Sequence, residues 1–114
     1  MTMASYEIFQ PLQEEVLSLA AGTEMIHVST IIQDDLPCMD DDSLRRGQAS
    51  NHIKFGEHIS ILTASTMITD AISKILVECR DKSRAVRIVK LLCSCYRGVI
   101  CGQIVDMASE SSEF

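Results

Sequence analysis

EMIHVSTIIQDDLPCMDDDSLRRGQASNHIKFGE, residues 24–57, is the stretch that decides how the rest of the chain reads. Five aspartates (Asp34, Asp35, Asp40, Asp41, Asp42) fall within nine positions and are followed at once by Arg45, Arg46 and Gly47. An apolar helical segment leads into them, and a polar segment with His52 and His58 leads out. Carboxylates packed this closely repel one another unless solvent or a cation takes up the charge. Oxygen-only ligation of a hard ion such as Mg²⁺ is one resolution.

Spacing predicts a helix through Met25, Ile26, Val28, Ile31 and Ile32, broadly apolar and therefore well buried. Pro37 stops it near Leu36. That break has a consequence for the acids. On an uninterrupted helix Asp34 and Asp40, six apart, diverge by roughly 120°. A loosened turn lets both face one ion. His27 lies seven residues before Asp34 on the same face, and it reads either as a core histidine or as part of a pocket wall.

Working outward, an earlier helix carries Pro11 in its first turn and Leu12, Val16, Leu19 and Ala20 at helical spacing. Gly22 is expected to end it and Thr23 to cap the next. Met1 to Ser5 read as loose, and Ser43 to Phe55 as a loop turning at Gly47. From Glu57 the helical period returns through Ile61, Ala64, Ser65, Ile68, Ile72, Ile75, Leu76 and Cys79. Glu78–Arg84 reads as a polar connection. A last helix presents Val86, Val89, Leu92, Cys93, Tyr96, Val99, Ile100 and Ile104, with Gln103 on that face and Asp106 one turn later; Ser109 to Phe114 are expected to fray. No strand pattern is visible. The expectation is one all-α domain, a bundle of about four helices over residues 1–114.

Composition narrows the function. The 114 residues carry a net charge of −6, and the signs are segregated. Met1 to Leu44 holds nine acids and no lysine or arginine; from Arg45 onward there are ten basic residues and seven acids. Nucleic acid is therefore not an expected partner. The two signs meet at Asp42–Arg45, a junction suited to a metal–phosphate complex. Five cysteines without framework spacing, behind no recognisable signal or transit segment, point to thiols in a reducing compartment. Cys93 and Cys95 project to nearly opposite sides of a helix, which makes them poor joint zinc ligands. No apolar run is expected to reach the ~20 residues of a membrane span.

The acid cluster keeps three readings on spacing alone: a solvated loop, a calcium loop, or a Mg²⁺–diphosphate site with arginines on the phosphates. The calcium reading lacks the glycine and glutamate its loop requires.

The motif IIQDDLPCMDDDSLRRG, with EMIH before it, NHIKFGE after it and GQIVD near the C-terminus, resembles the trans-isoprenyl diphosphate synthases, and most of all the geranylgeranyl diphosphate synthases of plant type. The likeness runs from about Glu24 to Asp106. It implies part of an isoprenoid synthase helical bundle, and a Mg²⁺-dependent prenyltransferase that condenses isopentenyl diphosphate with an allylic diphosphate. It also implies roles. Asp34 and Asp40 hold Mg²⁺, with Asp35 supporting. Arg45 contacts the allylic diphosphate, and His27 and Arg46 the isopentenyl diphosphate. Ser29, Thr30, Gln103 and Asp106 line the pocket; Ser29 and Thr30 are small where bulky aromatics in the family cap a short product.

The chain departs from the family in several places. No basic residue precedes Arg45, and Ser43 replaces an acid. Ser65 and Thr66 stand where Gly-Asp is common, and the second aspartate-rich motif is expected beyond Phe114. The implied protein is a truncated synthase, incomplete as a stand-alone chain. The alternative is a non-catalytic module that pairs, as a homo- or hetero-oligomer, with a full-length synthase. Its compartment is open between cytoplasm and plastid.

Overall fold

A computed structural model describes residues 1–8 and 14–110. The described elements are α1 (Thr2–Glu7), α2 (Glu14–Asp34), β1 (Leu44–Arg45), β2 (Gln48–Ala49), α3 (Asn51–Phe55), α4 (Glu57–Glu78) and α5 (Lys82–Glu110). The all-α expectation holds. Three long helices carry the architecture, with two short ones and a small hairpin added.

The central contact is α2 against α4, and it corrects the expected helix boundary. Gly22 does not end a helix; α2 runs through it without interruption. A Cβ built on Gly22 would lie 2.9 Å from Ile75 Cδ1 and 3.3 Å from the Ala71 carbonyl oxygen. The missing side chain is what allows the two helices to approach this closely. Thr23 accordingly caps nothing, and its hydroxyl donates back to the Leu19 carbonyl at 2.8 Å. Along the same seam Ala64, Ala71 and Ile75 are almost wholly buried, together with Ser29 and Ser60. Both serines find acceptors: Ser29 donates to the Ile26 carbonyl, and Ser60 to Asn51 Oδ1 and the Gly56 carbonyl. Small residues thus set the spacing, and local hydrogen bonds remove the cost of burying their hydroxyls.

Two further expectations change. Thr2 to Ser5 are not loose but belong to α1, a helix with no buried residue, and Met1 stands just before it. Ser43 to Phe55 is not all loop: β1 and β2 pair antiparallel, Leu44 opposite Ala49 and Arg45 opposite Gln48, and α3 follows. Arg46 (φ 53°) and Gly47 (φ 78°) both adopt left-handed backbone, the combination a two-residue hairpin turn needs. The expectation for Pro11 and Leu12 lies outside the described residues, as does any fraying of residues 111–114. Ser109 is still helical.

The α4–α5 connection is the polar one expected, and its capping is explicit. Lys82 Nζ donates to the carbonyls of Leu76, Val77 and Cys79 at 2.8–3.0 Å, closing the end of α4. Asp81 Oδ1 accepts the backbone N–H of Arg84 at 3.0 Å, opening α5. That hydrogen bond, with the charge of Arg84, holds the Asp81 carboxyl below its usual range.

The apolar faces are less covered than their periodicity predicts. Of the expected α2 core set only Ile32 is fully buried. On α5, Val99 is 51% exposed and Ile104 63%. The absence of a span-length apolar segment is also corrected. α4 and α5 are both long and apolar enough to cross a membrane, by length and composition only, and the core helices of globular bundles pass the same test.

Candidate functional site: an acid turn at the rim of an apolar cavity

α2 ends at Asp34, and the chain doubles back over the next six residues. The Leu36 carbonyl accepts from the amides of Met39 and Asp41, and the amide of Asp40 donates to the carbonyl of Asp34 itself at 2.9 Å. The turn that Pro37 forces therefore brings Asp40 beside Asp34, which a continuing helix would not. The electrostatics record the crowding. Burial, then the charges of Asp40 and Asp35, push the Asp34 carboxyl above its usual range, and Arg45 offsets only part of this. An acid held in that state favours a proton or a cation.

Asp35 goes elsewhere. It is 2% exposed and is taken by Arg45 of the hairpin. Arg45 Nε donates to Asp35 Oδ1 at 3.0 Å, and Arg45 Nη2 contacts the same oxygen. Arg45 Nη2 also reaches Asp42 Oδ2 at 3.1 Å. These contacts, the Asp35 hydrogen bond first, raise the Arg45 pKa. The two arginines are therefore not equivalent. Arg45 is held against acids, whereas Arg46 stands exposed at the hairpin tip and makes no ion pair among the described residues. Among the described residues no three His, Cys, Asp or Glu side chains converge on a metal position. Asp34 and Asp40 are the two acids that the turn brings close along the backbone.

Behind this turn lies a cavity of about 570 Å³. Its walls are Thr30, Gln33 and Asp34 of α2, Leu36, Cys38 and Met39 of the turn, Ile61 of α4, and Tyr96, Val99, Ile100, Gln103, Ile104 and Met107 of α5. The lining is mainly apolar, with a few polar groups near one carboxylate, the usual character of a small-molecule site. Tyr96 Oη donates to Gln33 Oε1 at 3.2 Å across the α2–α5 gap.

Thr30, Asp34 and Gln103 thus share one cavity. Ser29 and Asp106 do not line it: Ser29 is fully buried toward its own helix, and Asp106 is exposed, its carbonyl accepting the Ser109 hydroxyl at 2.7 Å. His27 is exposed on α2, so the core-histidine reading falls. The Tyr96–Gln33 bond and the Asp35–Arg45 pair were not anticipated. Tyr96 stood on the predicted apolar face of α5, but nothing in its spacing marks a polar partner 63 residues away.

Comparison with known proteins gives this geometry its relatives. The chain is 37% identical over 115 residues to "Geranylgeranyl pyrophosphate synthase 10, mitochondrial" of Arabidopsis thaliana, covering 98% of this chain and 33% of that protein. It is 38% identical over 112 residues to "Geranylgeranyl pyrophosphate synthase, chloroplastic" of Catharanthus roseus, covering 95% of this chain and 31% of that one. The crystal structure of an FPP/GFPP synthase from Zymomonas mobilis superposes with a TM-score of 0.89 at 28% identity, over 96% of this chain and 41% of that structure. The fold is the all-α fold of the isoprenoid synthases, and the chain spans about a third of the length of the curated relatives it matches. The polyprenyl synthetase family model matches residues 1–114. The chain belongs to the polyprenyl synthetase family.

Proposed function

We propose that the chain carries the allylic half of a Mg²⁺-dependent prenyltransferase site, one that joins isopentenyl diphosphate to an allylic diphosphate. A single observation carries this reading: Asp34, drawn together with Asp40, sits at the rim of an apolar cavity of about 570 Å³. One end suits a diphosphate head and the other a hydrocarbon tail. Mg²⁺ is commonly held by one or two carboxylates completed by water and substrate phosphates, so Asp34 and Asp40 suffice as protein ligands without a three-residue cage. The ion, when bound, supplies positive charge to the leaving diphosphate.

In the reaction the allylic carbon–oxygen bond breaks and diphosphate leaves with its electron pair. The isopentenyl double bond supplies the electrons of the new carbon–carbon bond, and a proton is lost from the adduct. Arg46 and His27, both exposed near the start and end of the acid stretch, are the candidates for the isopentenyl diphosphate. Arg45 reaches the allylic diphosphate only by exchanging a carboxylate for a phosphate oxygen. Leu36, buried, and Met39 supply apolar wall beside the cation, while Val99 and Ile100 stay half open on α5. Thiols at all five cysteines accord with a reducing compartment, cytoplasm or plastid.

A second reading has its own support. Leu91, Ile104 and Val105 leave 63–68% of their surface open along α5, a face suited to another chain. In that reading the protein pairs with a full-length synthase and alters its output. Incubation with isopentenyl and allylic diphosphates plus Mg²⁺, first alone and then with a complete synthase, tests both. Product from the chain alone establishes the first reading. A changed product profile only in the mixture favours the second, and no ligand-dependent response in either removes the site.

A further inference from the structure

We propose that His52 is a positioning residue, which through Ser50 holds the hairpin of Arg45 and Arg46 against the acid turn; this rests on reading Arg46 as a ligand of isopentenyl diphosphate. β1 and β2 pair over two residues each, and a ribbon that short does not keep its shape in water by itself. Its placement comes from what its two ends are tied to. On the first strand Arg45 is held by Asp35 and Asp42. On the second the chain leaves through Ser50, which is buried and whose amide donates to the Ser43 carbonyl at 3.0 Å. Ser50 is also the N-cap of α3, where a serine hydroxyl ordinarily accepts a helix N–H. It makes no such bond here. Its hydroxyl meets His52 Nδ1 instead, at 3.2 Å.

His52 is itself buried, and among the described residues its Nε2 has no hydrogen-bond partner. Whichever ring nitrogen carries the proton, one polar atom stays buried and unpaired, which costs stability. An apolar side chain would fill the place without that cost, but it would not supply the contact to Ser50. The far side of this anchor is fixed to α4. Ser60, wholly buried, donates its hydroxyl to Asn51 Oδ1 at 2.8 Å, and the His52 carbonyl accepts the Gly56 amide at 2.9 Å. A connected path therefore runs from α4 through Asn51, His52 and Ser50 into β2, and Ser50 is four residues from Arg46. Arg46 is exposed at the tip, so its reach toward a diphosphate is set by where the two ends of the hairpin are held.

The test sets affinity against stability. The whole chain is titrated calorimetrically with isopentenyl diphosphate, in the presence of Mg²⁺ and geranyl S-thiolodiphosphate, and melted thermally in parallel. His52→Leu removes the unpaired nitrogen, so it should melt no lower than wild type, yet bind isopentenyl diphosphate about tenfold more weakly, the scale on which supporting hydrogen bonds act on a site. His52→Asn is short enough to present its amide oxygen where Nδ1 stands, but it buries unpaired amide hydrogens. It should melt below His52→Leu and still bind within about twofold of wild type, the reach of an uncoupled change. Ser50→Ala, which covers a His52→Leu chain that fails to fold, should lose affinity as that variant does. Hydrogen exchange of the Ser50 amide should quicken in the Leu and Ala variants while the α4 amides hold. Wild-type affinity in both His52→Leu and Ser50→Ala overturns the role of His52 and leaves the site reading intact. So does an affinity that follows the melting temperature across the variants, since His52 would then serve the fold alone. If wild type binds no isopentenyl diphosphate, the reading of Arg46 fails and the inference goes with it.

Discussion

Arg45 and Asp35 are ten residues apart, and their pairing fastens the hairpin to the end of α2: a guanidinium 41% exposed donates through Nε and Nη2 to one oxygen of a carboxylate that is 3% exposed. The burial is lopsided, so the two halves of the pair have unequal importance. Removing Arg45 strands a buried charge, whereas removing both groups strands nothing. Arg45→Met should therefore lower the melting temperature more than the Asp35→Asn/Arg45→Met double variant does. Asp35→Ala alone, which discards the buried hydrogen-bond acceptor, should cost about 1–3 kcal/mol in denaturant unfolding. An additive double variant would mean the pair is an exposed contact with no structural role.

Asp34 makes the opposite prediction. Its carboxyl is pushed up by burial and by Asp40 and Asp35, so its charge opposes folding at neutral pH. Asp34→Asn should raise the melting temperature by roughly a few degrees in metal-free buffer. It should also abolish the further rise that Mg²⁺ with a prenyl diphosphate gives the wild type, since a ligand that binds only the folded state stabilises it by mass action. Thermal melts of both proteins with and without the ligands check this. A variant that is less stable and still responsive would show that Asp34 is a structural acid.

Which parts of this were legible in advance follows from what each depends on. The helical class and the long α4 and α5 segments rest on periodicity, a local property that Ile68, Ile72 and Ile75 display directly. The bend at Pro37 is also local: the helix stops near it, and the backbone of Asp40 returns to that of Asp34. Gly22 reads as a terminus because a glycine after a helical run signals one unless another helix presses on it. That neighbour, Ile75, is 53 residues away. The assignment of Arg45 to a phosphate rested on motif order alone. Motif order does not reveal that Asp35 turns inward and takes the guanidinium, a consequence of the hairpin that Arg46 and Gly47 form.

Gly22 offers a direct test of that helix approach. Alanine in a helix interior normally gains roughly 0.5–1 kcal/mol over glycine. Here the added Cβ would fall 2.9 Å from Ile75 Cδ1 and 3.1 Å from Cγ1, and Ile75 is only 1% exposed, with little room to move. Overpacking of this kind costs about 1–3 kcal/mol, so Gly22→Ala should be net destabilising. Ile75→Val, which deletes the offending Cδ1, should recover part of the loss in the Gly22→Ala background while being destabilising by itself. A stabilising Gly22→Ala would place the two helices farther apart than described.

The far end of α4 carries a pH dependence whose sign can be worked out. Glu78 accepts from Lys74 Nζ at 2.7 Å and from the Ser18 hydroxyl, which joins α4 to α2. The Lys74 bond first, then the Ser18 bond, hold its carboxyl below the ordinary 4.5. A depressed acid stabilises the fold fully above the unfolded value and loses that contribution as pH falls through the folded value. Glu78→Gln should therefore melt below wild type at neutral pH, and the gap should close as pH drops below about 4.5. Salt separates the two partners. The exposed Lys74 contribution should shrink at about 1 M salt through screening, while the Ser18 hydrogen bond to α2 should persist. A gap that vanishes completely in high salt at neutral pH would reduce Glu78 to a surface ion pair and remove its part in joining α2 to α4.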